Sequence, residues 1–337
     1  MTLRPPKSSY NQASEKVWFS YVPNATKFQH GLLGINDSYV AGNLHLQFPE
    51  NEPLKAKRIE VSITGTEYVH WTEQVVENAY NSSTKSYEVR TRTIHYIHEH
   101  QILNRSLLLW QNKEFYQKIT NMKFPFKLPL PNNLPPSMNL SDGIGQINYE
   151  VNAKIKRKRN FWKFKGSKKS VKCMCSITRY RSMPVPASTR WTEWDDPKAI
   201  KRGLGYDITV DYNTFGPGNP IIINFAFKFF KVLKLKEVFA GLKEYHIFKA
   251  SGNTKFIKGY VLERKISDDQ ISINLNARNE WWYNLKIEVP ENKVGWTTDR
   301  HNIKVYHKIK VKVRFGYLGP KNINLEKLVN IENIIKE

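Results

Sequence analysis

Apolar and polar residues alternate along much of this chain at a period of two, the spacing of a β-strand with one buried face. Tyr149, Val151, Ala153 and Ile155 alternate with Asn148, Glu150, Asn152, Lys154 and Lys156, and Val171, Cys173, Cys175 and Ile177 alternate with Lys172, Met174 and Ser176. These two runs predict a hairpin whose tip holds the residues between them. Upstream, Leu44, Leu46 and Phe48, then Ile59, Val61 and Ile63 ending at Gly65, predict two antiparallel strands joined by a turn over residues 49–53. Residues 74–122 alternate less cleanly. There Val89, Thr91, Thr93 and His95 predict a strand, whereas residues 104–110 fit either a strand or one or two helical turns.

The second half repeats the pattern. Ile208, Val210 and Tyr212 alternate, a Gly/Pro-rich turn follows, and Ile221, Ile223, Phe225, Phe227 and Phe229 alternate again. Ile271, Ile273 and Leu275 predict a strand, as do Leu285, Ile287 and Val289. The last long one carries Val305, His307, Ile309, Val311, Val313 and Phe315 opposite Lys304, Lys308, Lys310, Lys312 and Arg314. The fold class expected is all-β, two consecutive immunoglobulin-like antiparallel sandwiches. The expected boundaries are a flexible leader at 1–16, a first sandwich at 17–183, a Pro-rich polar linker at 184–202 and a second sandwich at 203–335.

Between the predicted strands of the first half, Pro125, Pro129, Pro131, Pro135 and Pro136 fall within twelve residues. Proline cannot donate to a central ladder, so this stretch is expected at a sheet edge. Its order of residues is specific: Phe124-Pro125-Phe126, Leu128-Pro129, Asn133-Leu134-Pro135 and Ser137, a turn, then Ile147-Asn148-Tyr149-Glu150-Val151 entering a strand that ends in basic residues. With Gly42 and the His70-Trp71 pair upstream, this string resembles the arrestin family, closest to its arrestin-domain-containing (alpha-arrestin-like) adaptors. The resemblance extends from about residue 30 to residue 334, with residues 289–302 resembling the family's gate-type loop. One departure stands out. Where receptor-desensitising arrestins place an aspartate of a phosphate-sensing polar core, this chain has Ala41.

Charge adds a second layer. The net charge is +23, and residues 151–192 hold thirteen Lys or Arg and no acid. At the predicted hairpin tip, Lys156, Arg157, Lys158, Arg159, Lys163, Lys165, Lys168 and Lys169 surround Phe161, Trp162 and Phe164. Cations attract an anionic surface while aromatic side chains settle at headgroup level, so the cations are candidates for anionic lipid or phosphate contact and the aromatics for membrane contact. A solvated hairpin that only keeps the protein soluble is the competing reading.

No cofactor is expected and no enzyme: nucleophile elbow, phosphate-cradling loop and paired catalytic carboxylates are all missing from the sequence. His95, His98 and His100 do not make a metal site on a straight strand, because His95 points away from the other two. Glu193, Asp195 and Asp196 are expected to pair with basic residues. Cys173 and Cys175 face the core side of their strand and read as reduced structural thiols, which with no other cysteine fits a reducing compartment. No apolar run is long enough for a helical membrane span, and no secretory signal is read at the N-terminus.

The resemblance implies a non-enzymatic cytoplasmic adaptor or scaffold, reversibly at the plasma membrane or endosome, that binds cytoplasmic tails of membrane receptors or transporters and links them to endocytic or intracellular trafficking. Anionic phospholipids are a further expected partner. Lys7-Ser8-Ser9 separate Pro5-Pro6 from Tyr10, so the Pro-Pro-x-Tyr motif for ubiquitin-ligase recruitment is missing. Two alternatives stay open: a nucleic-acid-binding protein using its basic surface, and a retromer-like coat subunit.

Overall fold

The structure is a computed structural model that describes residues 16–83, 85–158, 167–183, 187–231, 233, 235–267, 279–291, 294–316 and 321–335. Most of the expected leader and the strand expected at Ile271, Ile273 and Leu275 therefore lie outside the described residues. The chain forms two compact units that divide in sequence between Arg179 and Tyr180, except that Lys249–Asn253, the turn between two later strands, groups with the first unit.

The first unit holds β1 (Val17–Ser20), β2 (Gln29–His30), β3 (Ser38–Gln47), β4 (Leu54–Asn81), β5 (Ser86–Gln111), β6 (Gln117–Ile119), β7 (Asn121–Leu130), β8 (Met138–Leu140), β9 (Gly145–Arg157) and β10 (Lys168–Met174). In one sheet β1, β2 and β7 all pair with β3. The other runs β10-β9-β4-β5, with β6 on β4 and β8 on β9. Alternation decides which face turns inward: Ile147, Tyr149, Val151, Ala153 and Ile155 of β9 are all buried. Slipping β9 by one residue would expose these side chains at roughly 2 kcal/mol each. That sum rivals the whole stability of a typical domain, about 5–15 kcal/mol, so the register is fixed.

The proline-rich stretch lies where its chemistry requires. Pro125 and Pro129 are in β7, which pairs on one side with β3. Pro135 accepts a hydrogen bond at 2.7 Å from the buried Tyr149 hydroxyl. The same ring explains Gly65, where a Cβ would come within 2.6 Å of it.

Residues 104–110 are part of β5, which resolves the strand-or-helix alternative. The alternation was hard to read because β5 skips register twice, between the partners of Ile59 and Glu60 and of Gly65 and Thr66, leaving Leu109 and Ile102 as extra residues. Each skip inverts the pattern.

The second unit holds β11 (Tyr180–Arg181), β12 (Thr189–Glu193), α1 (Pro197–Arg202), β13 (Leu204–Val210), β14 (Thr214–Phe215), β15 (Pro220–Phe229), β16 (Leu235–Ala250), β17 (Asn253–Ser267), β18 (Glu280–Glu288), β19 (Thr298–Asp299), β20 (Ile303–Phe315), β21 (Ile323–Ile331) and β22 (Asn333–Ile334). One sheet runs β12-β13-β15-β18, the other β14-β21-β20-β16-β17 with β19 on β20, and β11 pairs with β22. Their facing sides meet in a core that includes Ile208, Phe225, Phe227, Trp281, Leu242 and Val311.

Residues 184–202, expected to be only a linker, contain β12 and α1. β12 pairs along its length with β13, Trp191 opposite Ile208. Asp196 caps α1 by accepting from the Lys198 amide at 2.7 Å, Pro197 opens it, and Gly203 at φ 88° ends it. A five-residue strand with one half-buried tryptophan is too short to show a period, so the prolines and acids around it dominate the reading.

Candidate anion-binding surface

The hairpin expected from the sequence is β9–β10, with Lys156 opposite Lys168 and Val171 opposite Ala153. On the other side of β9, Arg58 of β4 lies opposite Lys156 and Glu60 opposite Lys154. Three cations therefore stand abreast on adjacent strands, Arg58, Lys156 and Lys168. At the usual strand spacing of about 4.8 Å the row spans about 10 Å. Like charges placed directly across strands repel. A bound anion would remove that repulsion.

Compensation here is sparse. Arg58 pairs with Glu60 at 2.9 Å, and further along the sheet Lys172 pairs with Glu150 at 2.9 Å. Among the described residues, no carboxylate lies within ion-pair distance of Lys154, Lys156 or Lys168. The hairpin stays paired beyond the row, with the Arg157 amide donating to the Ser167 carbonyl and the Lys158 amide to the Lys55 carbonyl, each at 2.9 Å. Lys156, Lys158 and Lys168 are exposed, and Arg157 and Lys169 are half-buried. Lys169 lies 5.4 Å from the Phe48 ring centroid. Arg159, Lys163, Lys165 and the aromatics Phe161, Trp162 and Phe164 lie outside the described residues.

Arg58 and Lys154 join the site although sequence reasoning did not choose them. Lys154 was visible as the polar neighbour of Ala153 and Ile155. Arg58 had no local signal, because only the register between β4 and β9 carries it to Lys156, 98 positions away.

A second cationic stripe, on β20, has a different environment. Lys308 pairs with Glu326 at 2.9 Å, and Lys310 reaches the other oxygen of the same carboxylate. Lys304 pairs with Asp299 at 2.8 Å and Arg314 with Glu237 at 2.7 Å. Hydrogen bonds from Lys310 and Lys308 hold the Glu326 carboxyl below the usual carboxylate range. Lys312 lies over the Phe239 ring, 5.7 Å from its centroid. Three carboxylates thus offset three of the five cations of this stripe, whereas the first-unit row has Glu60 alone.

The remaining candidates take structural places. Cys173 and Cys175 are buried and unbridged. Burial pushes the Cys173 thiol up to about 12 and that of Cys175 further up, so neither forms a thiolate readily. Glu193 pairs with Arg202 at 2.7 Å and Asp195 with Lys228 at 2.5 Å, as expected, whereas Asp196, also expected to pair with a base, caps α1 instead. His95 stacks on His70 with ring centroids 5.8 Å apart, while His98 and His100 lie opposite Val69 and Glu67. Ala41 is buried on β3, its amide donating to the Phe28 carbonyl at 2.9 Å.

Residues 34–179 match the family model described as arrestin (or S-antigen), N-terminal domain, and residues 201–333 match arrestin (or S-antigen), C-terminal domain. A search of curated proteins found no match. Two matched domains in order, covering most of a chain that folds as two antiparallel β-sandwiches, establish that this protein belongs to the arrestin family, a family of trafficking and signalling adaptors.

Proposed function

We propose that this protein is a non-enzymatic cytoplasmic adaptor of the alpha-arrestin-like kind. It docks reversibly on an anionic membrane through the β9–β10 end of its first unit and binds the cytoplasmic tail of a receptor or transporter there. It thereby links that cargo to endocytic or intracellular trafficking. The observation that supports the docking step is the row Arg58, Lys156 and Lys168 with Lys154 beside it, most of whose charge is left uncompensated. Each basic residue held near an anionic leaflet contributes about 1 kcal/mol. The row alone then supplies about 3 kcal/mol, roughly a hundredfold in membrane partitioning.

Co-sedimentation with vesicles tests this. The protein should bind phosphatidylcholine vesicles containing phosphatidylserine and not pure phosphatidylcholine, and R58Q/K156Q/K168Q should weaken binding about a hundredfold. Equal binding to both vesicle types would overturn the reading.

A further inference from the structure

At one end of the second unit's sandwich the strands part. β13 runs beside β15 as far as Val210 opposite Ile223, and Thr214 of β14 already lies beside Asn330 of β21 in the other sheet. Residues 211–213 therefore cross from one sheet to the other. Backbone bonds hold the crossing, with the Asn330 amide donating to the Asn213 carbonyl at 2.8 Å and the Glu332 amide to the Phe215 carbonyl at 3.0 Å. The turn that follows, Gly216-Pro217-Gly218, has little side-chain bulk with which to close the gap. What remains is a pocket of about 230 Å³.

Its wall is mostly apolar. Tyr212, Pro220, Ile222 and Ile334 line it half-buried, and Phe215 lines it almost fully buried. Phe215 belongs to the sandwich core and Tyr212 packs against that core, so this wall is a fixed surface. Half-covered apolar side chains gain when a ligand displaces the water over them. The charged group lining the pocket is Asp211, which is exposed. Carboxylates on adjoining strands are engaged, Glu332 by Arg181 at 3.0 Å and Glu288 by Lys286 at 3.2 Å. Among the described residues, no cation lies within ion-pair distance of Asp211.

We propose that this pocket is a binding site for an arylalkyl ammonium ion, its aromatic ring against Tyr212, Phe215 and Ile222 and its protonated amine at Asp211. Size selects the body of the ligand. An apolar cavity of about 150 Å³ holds one benzene ring, so a pocket of about 230 Å³ takes a single ring with a short tail. Aromatic walls suit a ring, which packs on them offset or edge-on. Charge selects the tail: a carboxylate with no partner attracts a cation and repels an anion. The net charge of +23 opposes a cationic ligand at long range, but at physiological salt the screening length is about 8 Å, so the adjacent carboxylate decides.

Titration calorimetry on the full chain with three probes of one shape tests the site: phenethylamine, phenethyl alcohol and phenylacetate. Phenethylamine should bind about three- to fivefold more tightly than the alcohol, the gain of one well-placed exposed ion pair. Against phenylacetate, which meets repulsion in place of attraction, the margin should be at least ~10-fold. In Asp211→Asn the amine's advantage over the alcohol should shrink to less than about twofold, with the alcohol's own affinity unchanged. Ile222→Trp fills the pocket and should abolish binding of all three; should it fail to fold, Met183→Trp at the exposed rim obstructs the same space. Equal binding of amine and alcohol to the wild type, an undiminished preference in Asp211→Asn, ligand retained by the tryptophan variant, or no binding of any probe would each overturn the proposal.

Discussion

The two cationic stripes of this protein are built from the same device, alternate lysines on a strand whose other face is core, yet they differ in what stands beside them. On β20 the lysines find Glu326, Asp299 and Glu237 on neighbouring elements, and the field they cast is short-ranged. On β9 and β10 the neighbouring strands add more cation: Arg58 and Lys168 flank Lys156, and Glu60 is the nearest acid. Lysine content alone therefore says little about anion binding. Compensation by cross-strand neighbours decides it, and cross-strand neighbours are a matter of register.

The contrast can be broken most severely by reversing the uncompensated row. R58E/K156E/K168E should lower binding to phosphatidylserine vesicles by more than the roughly hundredfold expected of neutralisation, because repulsion adds to the lost attraction of about 1 kcal/mol per residue. Flotation of protein with vesicles reads this directly.

Next in size is the buried counterpart, Glu244, where compensation is complete. Burial alone would raise its pKa, but the hydrogen bonds from His246 and His307 override this and lower it to about 2. A carboxyl whose folded-state pKa is depressed contributes stability that is fully present above its unfolded value, about 4.5, and lost as pH falls toward 2. Urea titrations of wild type and E244Q should thus differ by about 3 kcal/mol at pH 7 and converge as pH falls from 4.5 toward 2. A difference that stays constant over that range would mean the carboxylate charge contributes nothing.

Removing compensation from the β20 stripe sharpens the comparison from the other side. E326Q leaves Lys308 and Lys310 without their shared carboxylate, so vesicle binding should rise up to roughly tenfold, while stability falls by less than about 1 kcal/mol because the pairs are largely exposed. Smallest of all, K308Q in the wild-type background should change vesicle binding by less than about threefold, since Lys308 is held by the Glu326 carboxylate that it shares with Lys310.

Much of the fold was legible because β9 alternates apolar and polar residues without interruption and β15 and β20 do so over most of their length, and the proline run marked the edge strand β7. What escaped notice did so for identifiable reasons. The two register skips in β5 invert its pattern at Ile102 and Leu109. β12 is five residues long and framed by prolines and acids. The candidate surface was half legible: Lys156 and Lys168 stand out in a run of basic residues, but Arg58 joins them only through a pairing 98 residues apart. The Glu244 network was illegible for the same reason, since His307 lies 63 positions away with no spacing motif to announce it.

The most direct test is a lysine footprint, acylation by a water-soluble ester read by mass spectrometry with and without phosphatidylserine vesicles. Lys154, Lys156 and Lys168 should be protected when vesicles are present, while Lys304, Lys308 and Lys310 react at the same rate in both samples. Protection of the β20 lysines with Lys156 and Lys168 left reactive would contradict the claim that the uncompensated row is the surface that meets the anion.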